Sequence, residues 1–324
     1  MEAQESLQQV SQSFGLGEIK ELARLEDGIV NRSYKIRTLK GNFVLQCLSP
    51  IFNEKVIEDY EKFQSYLRTN GIFVPVLLKN KDHKAFTKQG DAIWRVFEYI
   101  AHDQQDSINP SIKTAYEAGK ILGKFHKIMS KSNFKPSFQL PGFHDTKNII
   151  NKLECLMHSK KNNIKSNAVN EEFNFIRNHI NLSPDIGKMR KTIIHADPKI
   201  ANFLFKEDKA IAILDLDTLM IASPLIDLGD ALRSWCRVKP ATSLFRQEIF
   251  RAALEGYNSE SPFEYSQKEA KDAMSLLTLE LAARYLNDYF EENYFIFKSE
   301  KYKTRAEQNL TRCRRYLEYF ENFS

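Results

Sequence analysis

The dominant hydrophobic period of the 324-residue chain shifts from strand-like to helical at about Pro110, and that shift restricts the fold more than any other feature. Between Ile19 and Ile100 the apolar residues fall in short runs closed by turn residues. These are KELARLEDGIVNRSYKIRT with Asp27-Gly28, then Lys40-Gly41-Asn42 leading into GNFVLQCL, and later AIWRVFEYI. Such punctuation predicts a small antiparallel sheet. One helical segment interrupts it, NEKVIEDYEKFQSYLRTNG, with Val56, Ile57, Tyr60, Phe63 and Leu67 at helical spacing and Gly71 as its stop. Beyond Pro110 the period is helical in TAYEAGKILGKFHKIMS, TKNIINKLECLMHSKK, EEFNFIRNHI, QEIFRAALEGY, QKEAKDAMSLLTLELAARYLNDYF and AEQNLTRCRRYLEYFENF. A strand-rich interruption runs from Thr192 to Leu216, and the polar stretch from Ser159 to Asn170 reads as a loop or a loosely ordered helix end.

A chain of this length buries enough apolar surface to fold without disulfides or metals. Lys and Arg total 47 against 42 Asp and Glu, a net charge of +5, with acids and bases interleaved along the whole chain. That pattern gives little support to nucleic-acid binding, and the cluster Arg312, Arg314, Arg315 reads as a solvated helix face. Cys47, Cys155, Cys236 and Cys313 stand far apart, with no Cys-x-x-Cys pair to indicate a zinc ribbon or a redox motif. The N-terminus carries acids where a secretory signal has bases, and no apolar run approaches a bilayer-spanning length. The expected protein is soluble and cytoplasmic, without nucleic-acid or membrane partners; nothing in the sequence speaks to its oligomeric state.

The segment HADPKIANFLFKEDKAIAILDLD concentrates the chemistry. The apolar runs NFLF and AIAILDL flank Glu207-Asp208, which predicts a hairpin. A turn centred on those two residues sets Asn202 opposite about Ile213, with Asp215 two residues further, roughly 7 Å by strand rise. An amide oxygen and a carboxylate so placed suit one Mg²⁺, a hard cation that also holds phosphate oxygens. Asp197 precedes them at the loop apex, free to face a substrate hydroxyl. An Asp to accept a hydroxyl proton, with an Asn and an Asp for metal, is the division of labour that phosphoryl transfer requires. His195 would orient the loop. Neither a P-loop nor a dinucleotide fingerprint occurs in the chain.

Through these residues the chain resembles the aminoglycoside phosphotransferase and choline kinase superfamily, and within it the N-acetylhexosamine 1-kinase branch. The likeness runs through GIVNRSY, FVLQCLSPIF, WRVFEYI, EAGKILGKFH, LPGFHDT, HADPKIANFLF, ILDLDTLM, LIDLGDALRSWC, ALEGYNSE and LTLELAARYLNDYFEENYF, ending in NLTRCRRYLEYFE. It implies an α+β, bilobal, protein-kinase-like fold: a small N-terminal lobe with an antiparallel sheet to about Phe97, a hinge over 98–102, and a larger, mostly helical lobe over 103–324. ATP and Mg²⁺ would bind between the lobes. It implies Asp197 as catalytic base, Asn202 and Asp215 as metal ligands, Asp217 assisting metal or sugar, and Thr218, Arg284 and Tyr294 lining a sugar pocket. The turn with Gly28, Asn31 and Ser33 would cover the phosphates, and the backbone of Glu98, Tyr99 and Ile100 would hold adenine.

Gln46 stands where kinases place a Lys, and Cys47 stands where the sugar-kinase pattern has Arg. Glu58 is the acid available to pair with that strand position, or a solvated helix residue, and Lys35 or Arg37 would add charge near the triphosphate. Asp227 or Asp230 would cap a helix or brace the catalytic loop, and Asp145 or Thr146 would cap another helix. The implied reaction is phosphorylation of a sugar, most specifically the anomeric hydroxyl of an N-acetylhexosamine. The alternatives are an aminoglycoside, choline or other amino alcohol as acceptor, or nucleotide binding without turnover.

Overall fold

The computed structural model describes residues 2–25, 30–103, 109–159, 163–180, 186, 189–238 and 243–324. The chain forms two compact units. One comprises Met1–Gln105, Lys131–Leu140 and Ala201–Met220, the other Asp106–Ser130, Pro141–Ile200 and Ile221–Ser324.

In the first unit, α1 (Glu2–Ser13) precedes β1 (Glu21–Leu25), β2 (Arg32–Thr38), β3 (Gly41–Cys47), α2 (Lys55–Thr69), β4 (Thr87–Gln89) and β5 (Ala92–Glu98). The strands form the expected antiparallel sheet in the order β1-β2-β3-β5-β4. Helix α1 has no counterpart in the sequence reading, because its apolar residues are few. Leu7 and Val10 nevertheless pack with Phe43, Leu45, Cys47, Trp94 and Val96 on one face of the sheet. Successive strand residues face opposite sides, so Cys47 belongs to this core while Gln46 faces away from it.

Two stretches distant in sequence complete this unit. Asp59, on the buried face of α2, accepts from Ser137 N (2.6 Å), Ser137 Oγ (2.7 Å) and Phe138 N (3.1 Å). Phe134 packs edge-on against Phe63 and Tyr66. The hairpin Phe203–Lys206 with Lys209–Ile213 joins through Ile213 N to Phe73 O (3.0 Å) and Asp103 N to Phe205 O (2.8 Å). Residues 201–220 thus share a compact body with the N-terminal sheet.

The second unit holds α3 (Ile112–Met129), α4 (Thr146–Met157), α5 (Asn163–Asn167), α6 (Asn170–Ile180), α7 (Pro224–Trp235), α8 (Gln247–Glu260), α9 (Gln267–Glu291) and α10 (Arg305–Glu321). Helix α9 is largely buried and starts with a capping box between Ser266 and Glu269. Helix α7 is capped by Ser223, with Pro224 in its first turn. This corrects the reading of Asp227 and Asp230 as caps: both lie inside the helix, buried. Asp145 does cap α4, accepting from Asn148 N. No helix among the described residues is long and apolar enough to cross a membrane.

Helices α3 and α8 touch backbone to backbone. A Cβ on Gly119 would lie 2.1 Å from Ala253 O, one on Gly123 2.3 Å from Tyr257 O, and one on Gly256 2.0 Å from Tyr116 O. Gly119→Ala must therefore push the helices apart, at a cost of about 1–3 kcal/mol. Its melting temperature should fall by several degrees in differential scanning calorimetry, and an unchanged midpoint would contradict this packing.

Candidate active site

In the second unit the buried strand Thr192–Ile194 delivers His195, Ala196 and Asp197. Ala196 has φ 66°, a left-handed conformation unusual for a side-chain-bearing residue. Asp227 holds this bend, its two oxygens accepting from His195 N (2.7 Å) and Ala196 N (2.6 Å). The same carboxylate contacts His126 Nε2 at 2.9 Å, and His126 Nδ1 lies 2.8 Å from the Tyr257 hydroxyl. His195 is buried, and its Nδ1 accepts from Asp197 N (3.2 Å), which is an orienting contact. The Asp197 carboxylate is 32% exposed and accepts from Lys199 Nζ at 3.0 Å. Lys199 was missed in the sequence; its one signal is its place between Asp197 and Asn202.

A second brace reaches the loop from LPGFHDT. His144 Nε2 lies 2.9 Å from Ala196 O, and its Nδ1 2.9 Å from Glu280 Oε1 on α9. Thr146 Oγ1 donates to the other Glu280 oxygen. Burial pushes the His144 pKa down, but the Glu280 carboxylate, joined by Asp230 and Ala196 O, outweighs it and raises the pKa to about 9. Glu280 is pushed up by burial and brought below its ordinary value chiefly by His144. Because the folded pKa of His144 is raised from 6.5, its contribution to stability is fully present below pH 6.5 and is lost as pH rises through about 9. Denaturation midpoints should fall across that window in wild type and less steeply in His144→Asn, where a parallel pH profile would contradict the assignment.

One turn along α9 from Glu280, Arg284 Nη2 donates to the Tyr294 hydroxyl (2.9 Å), and the guanidinium lies over Phe143 (5.3 Å) and Tyr294 (5.4 Å). Asp288 accepts from Asn293 N, Tyr294 N and Phe295 N, fixing the segment that carries Tyr294. Arg284 and Tyr294 are therefore brought together. Asp230 pairs with Arg233 within α7 (2.6 Å).

Asn202 and Asp215 belong to the first unit. The turn residues Glu207 and Asp208 both have positive φ (51° and 60°), the conformation of a tight two-residue hairpin loop. Regular pairing from that turn would face Asn202 with Ile213, but a bulge after Leu204 pairs Phe203 with Ile213 instead. Asn202 O accepts from Leu214 N at 2.8 Å, so Asp215 is one residue beyond its partner rather than two. Asp215 has φ 59° and is half-buried. An amide oxygen and a carboxylate oxygen form an all-oxygen donor pair that fits a hard divalent cation completing its shell with phosphate oxygens and water.

Beside Asp215 the structure gives several predicted residues other occupations. Asp217 is buried and bonded to Arg95, with Nη1 to Oδ1 at 2.8 Å and Nη2 to Oδ2 at 2.5 Å, and to Asn31 Nδ2 (2.8 Å). Asn31 also accepts from Ser49 N, so both ends of its amide are used internally rather than on phosphate. Ser33 accepts from Gln46 Nε2 (2.9 Å), whose Oε1 accepts from Arg95 Nε (2.8 Å). Glu58 is exposed and is not the partner of Gln46, because the inward phase of α2 falls on Val56, Ile57, Asp59 and Tyr60. Lys35 stacks on Tyr99 (3.9 Å), and Arg37 pairs with Glu21. Thr218 is half-buried at the end of the turn. Gly28 lies outside the described residues.

Of the three positions read as holding adenine, Glu98 N donates to Val76 O and Tyr99 N to Asn42 O. Ile100 O lies 2.8 Å from His102 Nδ1.

A profile of the phosphotransferase enzyme family, APH, matches residues 21–263. A homoserine kinase of Methylobacillus flagellatus is 24% identical over 262 residues, 80% of this chain and 76% of its own. The structure is similar to that of an amicoumacin kinase in complex with AMP-PNP, Ca²⁺ and Ami, with a TM-score of 0.66 and 18% identity over 98% of this chain and 93% of that one. It is also similar to the choline kinase LicA from Streptococcus pneumoniae, with a TM-score of 0.59 and 18% identity over 98% and 99% of the two chains. These structural likenesses show a kinase-like fold.

Proposed function

Since the chain belongs to the phosphotransferase enzyme family, we propose that it transfers the γ-phosphoryl of ATP to the anomeric hydroxyl of an N-acetylhexosamine, giving a sugar 1-phosphate. The observation that carries the transfer is the state of Asp197: its backbone neighbours are tied down by Asp227 and His144, while its own carboxylate stays partly exposed beside Lys199. A carboxylate so held can accept a hydroxyl proton as the oxygen attacks phosphorus. Little covalent chemistry remains for the protein beyond positioning and charge stabilisation. Lys199 places a positive charge next to the base. Asn202 and Asp215 would hold the divalent cation, expected to be Mg²⁺, which when bound neutralises charge on the phosphate oxygens.

The sugar reading draws on the resemblance and on the pairing of Arg284 with Tyr294 over Phe143. Guanidinium and phenol donors suit ring hydroxyls, and the aromatic faces suit the flat apolar side of a sugar. The same Arg284 counts against an aminoglycoside, which is polycationic. It favours a second reading equally well, a hydroxy amino acid whose carboxylate the guanidinium would bind, and the relative from Methylobacillus is a homoserine kinase. Turnover of ATP against N-acetylglucosamine, N-acetylgalactosamine, homoserine, choline and an aminoglycoside separates these. Activity on N-acetylhexosamines alone supports the sugar reading, whereas activity on homoserine alone replaces it.

A further inference from the structure

Gln46 and Glu58 leave this chain without the ion pair that joins the third strand to the following helix in kinases, yet the same face of the sheet holds a buried ion pair of a different origin. Ser33, Gln46 and Arg95 stand in register on β2, β3 and β5. Their side chains bond in a row: Gln46 Nε2 to Ser33 Oγ, then Arg95 Nε and Nη2 to Gln46 Oε1. The row ends on Asp217, where Arg95 and Asn31 together engage both oxygens. Arg95 is 1% exposed and Asp217 2%.

Of the five N–H donors of a guanidinium, the bonds to Gln46 and Asp217 engage four. Arg95 is thus committed to protein oxygens, and its charge is balanced by a carboxylate. Burying both charges carries a desolvation cost that only their mutual attraction can offset. A planar fork facing a planar carboxylate returns that cost only in one geometry. What the geometry fixes is the turn Leu216–Thr218, entered through Asp215 in its left-handed conformation.

We infer that Arg95 is a positioning residue for the metal-holding carboxylate: by clamping Asp217 to β3 and β5 it sets the orientation of Asp215, two residues earlier. The inference rests on the reading of Asp215 as a cation ligand. In this chain the bracing ion pair runs directly from Arg95 on β5 to Asp217 in the Asp215 turn, and Gln46, uncharged, buttresses the guanidinium from β3. Partners that orient a ligand typically govern metal affinity by about tenfold to a hundredfold.

The test is Mn²⁺ binding to the full chain with ADP, read by electron paramagnetic resonance of free Mn²⁺, alongside ADP affinity without metal and circular dichroism. Arg95→Lys keeps the charge and loses the fork. It should weaken Mn²⁺ binding about tenfold or more and leave metal-free ADP affinity unchanged. If Arg95→Lys does not fold, Arg95→Gln with Asp217→Asn removes both buried charges and should show the same selective loss. Wild-type Mn²⁺ affinity in a folded variant overturns the inference. So does equal weakening of ADP and Mn²⁺, or failure of both variants to fold, because either makes Arg95 a general requirement of the fold. Asp215→Asn serves as the control: unchanged Mn²⁺ affinity there refutes the metal reading itself, independently of Arg95.

Discussion

Replacing Asp197 by Asn lowers kcat by about 10²–10⁴-fold, the range that a positioned general base contributes. Nucleotide affinity and melting temperature should stay close to wild type. The amide keeps the size and planarity of the carboxylate but cannot accept the hydroxyl proton. The pair with Lys199 that it breaks is partly exposed on both sides, and such pairs add little to stability. A loss confined to KM, with kcat unchanged, would mean that Asp197 only binds the acceptor.

Asp227→Ala should be the most destabilising single change near the site. The carboxylate is fully buried and serves the N–H groups of His195 and Ala196 together with His126. Alanine leaves all three without their acceptor, and each buried group so orphaned costs about 1–3 kcal/mol. The left-handed bend at Ala196 loses what holds it, so activity falls with stability. Asp227→Asn keeps one acceptor oxygen, and its loss should be smaller. Chemical denaturation followed by fluorescence, with kcat on the same preparations, checks both changes; a midpoint for Asp227→Ala equal to that of wild type would rule out the brace.

The sheet, the long helices and the Glu207-Asp208 hairpin were legible because each shows in local period and turn chemistry. Asp197, Asn202 and Asp215 were singled out as phosphoryl-transfer candidates from their spacing, the hairpin context and the family resemblance together. Other features depend on contacts that no spacing reveals. The bulge after Leu204 moves the register opposite Asn202 by one residue, and the apolar run AIAIL carries no mark of it. Arg95 has the one available signal, a charge inside the apolar run AIWRVFEYI, but its partner lies 122 residues away. His144 and Glu280 meet across 136 residues, and only folding makes the histidine a brace for the His195–Asp197 bend. The caps at Asp227 and Asp230 were misread because Ser223-Pro224, a better helix start, lies one turn earlier.

The acceptor is where chemistry decides what spacing does not, since discrimination rests on a few hydrogen bonds. The central claim is that this chain moves the γ-phosphoryl of ATP onto a sugar hydroxyl. Phosphorus NMR of wild type with ATP, Mg²⁺ and an N-acetylhexosamine tests it most directly, with Asp197→Asn run in parallel. The account predicts loss of the γ-phosphorus signal and growth of a sugar phosphate resonance coupled to the anomeric proton, both absent in the variant. ATP bound but unchanged, or a phosphoryl group appearing only as inorganic phosphate, would contradict it.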